Sequence, residues 1–343
     1  MYYLCTEKNI INRNTLTIYN MKFFENAREG KNHWIRYVAV ILIGYTLCQI
    51  PATIYLIAIL LGDIFGHNPE ATLAKIQNID SFLNTIPGFV VIMLTFATWM
   101  ASTWLFFKWL HKRERMTLIS GEKKLRMSCF LWGMISYGVF IALIPALEMR
   151  IDPDCYTANL PGSQYYLFLL LAIILVPFQT GCEELIFRSY LMQGFALCTK
   201  SKGWALVITS VAFGLLHCAN NEIVEYGFWK MIPVYILIGF SLGFFAILTD
   251  GIEFSWGMHF INNMIGLTVF SNEGGTMNGN SLFVFKHGAI TFVDYIMPVA
   301  FTAIIYFALR KKMGWDIRKA FDNSGLKPIA TPVPPPYHPT NEM

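Results

Sequence analysis

Charge is scarce in this chain. Asp, Glu, Lys and Arg make up 14% of its 343 residues and hydrophobic residues 55%, against roughly 25% charged in an ordinary soluble domain. That shortage excludes the pair of soluble domains the length alone would suggest. The formal charge of +4 is too slight and too scattered to imply a nucleic-acid partner. Cysteine is thin as well: seven residues with no C-x-x-C pair indicate neither a disulfide scaffold nor a zinc ribbon. Most of them sit in apolar runs, where a thiol acts as a small soft hydrophobe. No H-E-x-x-H occurs, which excludes the zincin type of metalloprotease. No apolar core precedes Tyr37, so residues 1–36 read as a cytoplasmic segment and not as a cleaved signal peptide.

What is abundant is long apolar sequence. Seven uncharged stretches run over residues 37–62, 81–107, 127–147, 155–182, 203–221, 231–249 and 254–272, and an eighth, 288–309, carries only Asp294. Each is near the ~20 residues that an α-helix needs to cross a bilayer core. Open sheets leave backbone groups unsatisfied in lipid. The expected fold is therefore all-α, a polytopic membrane helical bundle of about eight transmembrane helices. With the N-terminus inside, eight spans place 21 of the 26 basic residues on the cytoplasmic side and four (Lys75, Arg150, Lys230, Lys286) outside, as the positive-inside rule asks. Both termini are then cytoplasmic. The division expected is a cytoplasmic segment 1–36, three accessory helices in 37–160, a core at 161–310 and a tail at 311–343, whose proline-rich 331–339 reads as disordered.

Arg188 fits neither side. It lies in Cys182-Glu-Glu-Leu-Ile-Phe-Arg-Ser-Tyr-Leu191, three ionisable groups within six residues flanked by apolar sequence. Such groups are expensive in a membrane and mark a bundle interior or a wet cavity. If the helix continues through Phe195, Glu184 and Arg188 share a face and pair, while Glu183, rotated about 100° away, stays free to move protons. Two later spans carry polar residues at the same four-residue spacing: Phe213 with His217, and His259 with Asn263. Facing helices would bring Glu183, His217, His259 and Asn263 around one point, near the middle or cytoplasmic half of the membrane.

That set suffices for peptide hydrolysis. A carboxyl group in an apolar site is suited to take a proton near neutral pH and return it, which makes Glu183 the candidate base with His217 holding the water. His259 and Asn263 supply donors for the oxyanion, each worth roughly 3 kcal/mol in a well-studied protease. A zinc site of Glu183, or Glu184, with His217 and His259 is the alternative from the same residues.

These motifs are similar to those of the CPBP intramembrane protease family, which contains type II CAAX prenyl endopeptidases and bacterial Abi proteins. The family pattern E-E-x-x-x-R, F-x-x-x-H, H-x-x-x-N/D occurs in order as Glu183-Glu184-Leu-Ile-Phe-Arg188, Phe213-Gly-Leu-Leu-His217 and His259-Phe-Ile-Asn-Asn263, over roughly residues 165–270. The resemblance implies that Glu183 activates water, that Glu184 and Arg188 form a supporting pair, and that His217 helps bind the water. It also makes His259 and Asn263 the oxyanion site, with Ser189 a mild departure from the pattern. It implies an intramembrane endopeptidase of a bacterial cytoplasmic membrane, acting on a peptide or lipid-modified protein that arrives from the cytoplasmic side or laterally. Members are often described as metalloproteases; the metal-free version is the reading preferred here.

Competing signals are weaker. Gly239-Phe-Ser-Leu-Gly243 matches a serine-hydrolase elbow, but it sits mid-span, where spaced small residues serve helix packing. The carboxylate beside Cys182 works against a thiolate nucleophile. Phe213 reads as packing. A secondary transporter would show inverted repeats with broken helices, and residues 1–160 hold nothing like the later polar pairs. A noncatalytic immunity or scaffold protein of the same fold remains as the rival.

Overall fold

The apolar stretches become helices because a chain in hydrocarbon must satisfy its own backbone hydrogen bonds. In the computed structural model, which describes residues 21–273, 275, 281–286 and 290–326, they are α1 (Trp34–Phe65), α2 (Ile86–His111), α3 (Met127–Ile151), α4 (Ser163–Thr199), α5 (Lys202–Leu216), α6 (Phe228–Leu248), α7 (Glu253–Thr268) and α8 (Phe292–Met313). All but α7 are long and apolar enough to cross a membrane, α5 when followed through its final 3-10 turn, as Lys202–Ala219. At 16 residues α7 is shorter than a span, and it packs against α3, α4 and α6. The protein is an integral membrane protein and an all-α polytopic bundle. Large side chains such as Leu42, Ile54, Ile135 and Phe307 remain exposed on the helices, as lipid contact requires. The proline-rich tail and most of the 1–36 segment lie outside the described residues.

Successive helices alternate in direction, so the molecule has two unlike ends. At one, residues 21–33 and 314–326 pack on the α2–α3, α4–α5 and α6–α7 connections. The Phe23 backbone N–H donates to Asp250 Oδ1 at 2.8 Å, Lys202 N to Asn323 Oδ1 at 2.9 Å, and an Arg28 guanidinium nitrogen to the Gly325 carbonyl at 3.1 Å. At the other end lies a three-stranded sheet of β1 (Tyr156–Ala158), β2 (Phe270–Asn272) and β3 (Phe283–Phe285) in the order β1-β3-β2. Stretch 155–182 thus enters its helix only at Ser163, after Pro161 and Gly162, and its first residues pair Tyr156 with Phe285. Asp294 closes a capping box with Thr291 at the start of α8, a structural role at a helix end.

Small residues set the helix spacing around α7. A Cβ on Gly257 would fall 2.0 Å from the Phe130 carbonyl oxygen, and one on Gly133 2.0 Å from that of Phe254. The backbones of α3 and α7 therefore meet where only glycine fits. Gly239 and Gly243 likewise approach Ser210 and Leu206 of α5, so the G-x-S-x-G sequence is a packing seam, as its place within α6 foretells.

Candidate active site

Helix α4 runs apolar from Ser163 to Phe178 and then turns polar. Gln179 lies one turn before Glu183, and its Nε2 donates to Glu183 Oε1 at 2.5 Å. From Glu184 to Leu191 the helix widens into a π-helical segment, a feature that recurs at functional sites. Residues 184–190 are all buried there, and the widened turn still brings Arg188 Nη1 within 3.4 Å of Glu184 Oε1. The Arg188 guanidinium lies 3.9 Å from the centroid of the Phe213 ring, a cation–π contact supplied by α5.

His259 ties α7 to this segment. Its Nδ1 is 2.9 Å from Glu184 Oε1 and its Nε2 is 3.8 Å from Glu183 Oε2. One imidazole thus reaches both neighbouring glutamates. One turn further, Asn263 Nδ2 donates to Gln179 Oε1 at 2.9 Å. Gln179 therefore joins Glu183 on one side to Asn263 on the other. At the end of α5, His217 Nδ1 is 2.8 Å from the Phe213 carbonyl. That oxygen can only accept, so Nδ1 carries the hydrogen and Nε2 is left for another partner. The ring lies against Phe213 at 4.5 Å and nearly parallel to Tyr235 at 4.5 Å and 24°.

Glu183, His217, His259 and Asn263 all line one cavity of about 490 Å3, together with Gln179 and Tyr235. Glu184 and Arg188 do not line it; both are almost wholly buried behind it, at 0% and 1% exposure. Among the described residues, Glu183 Oε2, Glu184 Oε2 and both terminal nitrogens of Arg188 are buried without a hydrogen-bond partner. Buried polar atoms are ordinarily satisfied, so this concentration of unmet ones marks the spot. The cavity runs to the loops at the end that holds the sheet, where Asn220, Glu222 and Asn272 form part of its wall. That is the end opposite the basic one. At the basic end residues 21–33 and the short connections pack over the bundle.

The sequence around these residues has known counterparts. Residues 162–265 match the family described as type II CAAX prenyl endopeptidase Rce1-like. The uncharacterized protein YyaK of Bacillus subtilis (strain 168) is 31% identical over 271 residues, which are 78% of this chain and 89% of the relative. The chain belongs to the Rce1-like family. No solved structure matches it. The matched segment holds all three motifs of this Rce1-like protein, and the family is one of protease-type hydrolases with peptide or protein substrates in a membrane.

The six expected residues divide into two layers, four at the cavity and the Glu184–Arg188 pair behind. The sequence reading missed Gln179, although a polar residue four before Glu183 in an apolar stretch was a signal, and Tyr235, for which one aromatic among many gave none. Among the described residues no three His, Cys, Asp or Glu side chains are grouped to hold an ion, Glu183 with His217 and His259 included.

Proposed function

We propose that this Rce1-like protein is an intramembrane endopeptidase that hydrolyses a peptide bond with water activated by Glu183. The observation that carries the reading is that one cavity is lined by Glu183, His217, His259 and Asn263 from three helices, with Glu183 Oε2 making no hydrogen bond. Water sits between Glu183 and His217, whose Nε2 accepts one of its hydrogens. Glu183 takes the other as the oxygen attacks the carbonyl carbon. The oxyanion that forms is held by Nε2–H of a doubly protonated His259 and by the Asn263 amide. Glu183 then passes its proton to the leaving nitrogen as the C–N bond breaks, and the products are a carboxylate and an amine.

The remaining residues position these four. Glu184 fixes the His259 ring through Nδ1, Arg188 neutralises Glu184, and Gln179 holds Glu183 and Asn263 at a set separation. The scheme needs no metal. The substrate is a membrane-associated peptide or protein. The distribution of lysine and arginine among the loops of the sequence supports an orientation with both termini inside a bacterial cytoplasmic membrane.

Purified protein in liposomes, offered prenylated and unmodified peptides, tests this. Cleavage by wild type, its loss in Glu183→Gln and in His217→Ala, and its persistence in chelator are expected. Cleavage that survives both substitutions eliminates the scheme, and loss in chelator eliminates its metal-free form.

A further inference from the structure

Three carboxamides that line the cavity form a chain with one direction. Asn262 Nδ2 donates to Asn263 Oδ1 at 3.0 Å, Asn263 Nδ2 to Gln179 Oε1 at 2.9 Å, and Gln179 Nε2 to Glu183 Oε1 at 2.5 Å. The direction follows from the last member. A carboxylate can only accept, so Gln179 turns its amino group toward Glu183 and its carbonyl away. That carbonyl needs a donor, which makes Nδ2 the atom of Asn263 that faces it and leaves Oδ1 on the other side. Oδ1 needs a donor of its own, and Asn262 supplies it. Reversing any one amide would set acceptor against acceptor. In the hydrolase scheme the proton goes to the oxygen of Glu183 that makes no hydrogen bond, Oε2, so Oε1 accepts throughout and the chain keeps its sense.

Asn262 is the outermost member and belongs to none of the three motifs. It directly precedes Asn263 on α7 and is half-buried at the cavity. Consecutive residues of a helix point about 100° apart, so Asn262 meets Asn263 from the side, while Gln179 meets it from α4. The Asn263 carboxamide is therefore held at both ends, its oxygen by its neighbour and one amino hydrogen by α4. An amide nitrogen carries two hydrogens, and the second one is left for the reacting carbonyl. Because the group is planar, fixing both ends fixes where that hydrogen points. A donor aimed in advance costs no reorganisation as charge develops on the oxygen.

We infer that Asn262 is a positioning residue for the oxyanion: by donating to Asn263 Oδ1 it keeps the amino group of Asn263, and not its carbonyl, toward the reacting carbonyl. The inference rests on the hydrolase reading for its effect on turnover, whereas the chain of amides can be read without it. The full chain in liposomes would be compared as wild type, Asn262→Leu, Asn262→Asp, Asn263→Ala and the double variant Asn262→Leu with Asn263→Ala, in peptide turnover and thermal unfolding. Asn262→Leu is expected to lower kcat about tenfold, the loss of one hydrogen bond between neutral groups, with KM and melting temperature unchanged. Asn262→Asp, which keeps the size but can only accept, should lower it at least as far. On the Asn263→Ala background Asn262→Leu should change kcat less than about twofold, since a residue that acts through Asn263 has nothing left to act on. An undiminished kcat in either single variant, a fall carried by KM or matched by lost stability, or effects that simply multiply in the double variant overturns the inference. A second measurement separates it from the hydrolase reading. In protein carrying glutamine labelled at its side-chain nitrogen, the Gln179 amide signal, identified by its loss in Gln179→Leu, should shift in Asn262→Leu while that of Gln164 stays in place, because linked hydrogen bonds polarise one another. Absence of that shift overturns the inference whatever the turnover; the shift without cleavage by wild type sinks the hydrolase reading and leaves the amide chain standing.

Discussion

Two buried arginine–glutamate constellations stand in this bundle, equally hidden and unlike in their bonds. At the basic end Arg126 holds Glu253 through Nε at 2.9 Å, Nη2 at 2.7 Å and its own backbone N–H at 3.0 Å, with side-chain exposures of 5% and 0%. Burial works against the Arg126 charge, but Glu253, aided by Asp250 and Glu122, outweighs it and holds the guanidinium above its ordinary value. In the middle of the bundle Arg188 meets Glu184 at 3.4 Å, at exposures of 2% and 0%, and neither of its terminal nitrogens makes a hydrogen bond. The first constellation is complete in itself and fastens α3 to α7. The second is incomplete and backs a cavity. The cost of burying charge thus does not by itself mark a site; what distinguishes the two is whether the protein meets its own hydrogen bonds.

The strongest attack on that contrast is Glu183→Gln. Loss of a general base predicts a fall in kcat of about 10²- to 10⁴-fold with the melting temperature unchanged, read from peptide turnover and thermal unfolding of one preparation. An equal loss of stability would erase the distinction. Next comes Glu253→Gln, which leaves Arg126 buried without its anion and is expected to cost about 3–5 kcal/mol of stability in reversible unfolding in mixed micelles. If turnover per folded molecule falls as far as in Glu183→Gln, the fastening pair belongs to the chemistry after all.

Gln179→Leu sharpens the picture inside the site. It removes hydrogen bonds to Glu183 and Asn263 at 2.5 and 2.9 Å. A hydrogen bond to a charged group is worth about 1.5–3 kcal/mol, so kcat should fall roughly ten- to hundredfold with KM little changed. A fall carried by KM alone would make Gln179 a substrate contact. The smallest effect is set at the basic end. Burial pushes the Asp250 carboxyl from 3.8 up to about 7, against the Phe23 and Lys22 backbone hydrogen bonds and the Arg126 charge. The folded protein then keeps a proton that the unfolded chain has released, so this group's contribution is fully present below about pH 4 and is lost as pH rises toward 7. Asp250→Asn should flatten stability over that window and leave turnover unaltered; an unchanged pH dependence removes Asp250 from the account.

Much of this was legible in the sequence, and the reasons are local. Helix number follows from transfer of consecutive side chains into lipid, the unlike ends follow from the distribution of lysine and arginine, and spacings of four residues put Glu184 beside Arg188 and Phe213 beside His217. The short length of α7, the strand at Tyr156–Ala158 and the widened turn at Glu184–Leu191 were not legible. No glycine or proline lies within that turn to foretell it, and β1 exists only because Phe283–Phe285 lies alongside.

The sequence by itself determined a membrane bundle and the candidate groups on each helix face, since apolar transfer and helical periodicity act over neighbouring residues. Tertiary structure alone decided that His259 reaches both glutamates, that Gln179 joins Glu183 to Asn263, that Arg126 takes Glu253 from 127 positions away, and that the cavity runs to the end that holds the sheet. Those outcomes depend on how closely α3, α4, α5 and α7 approach, and that distance is set where glycine faces backbone across helices far apart in the chain.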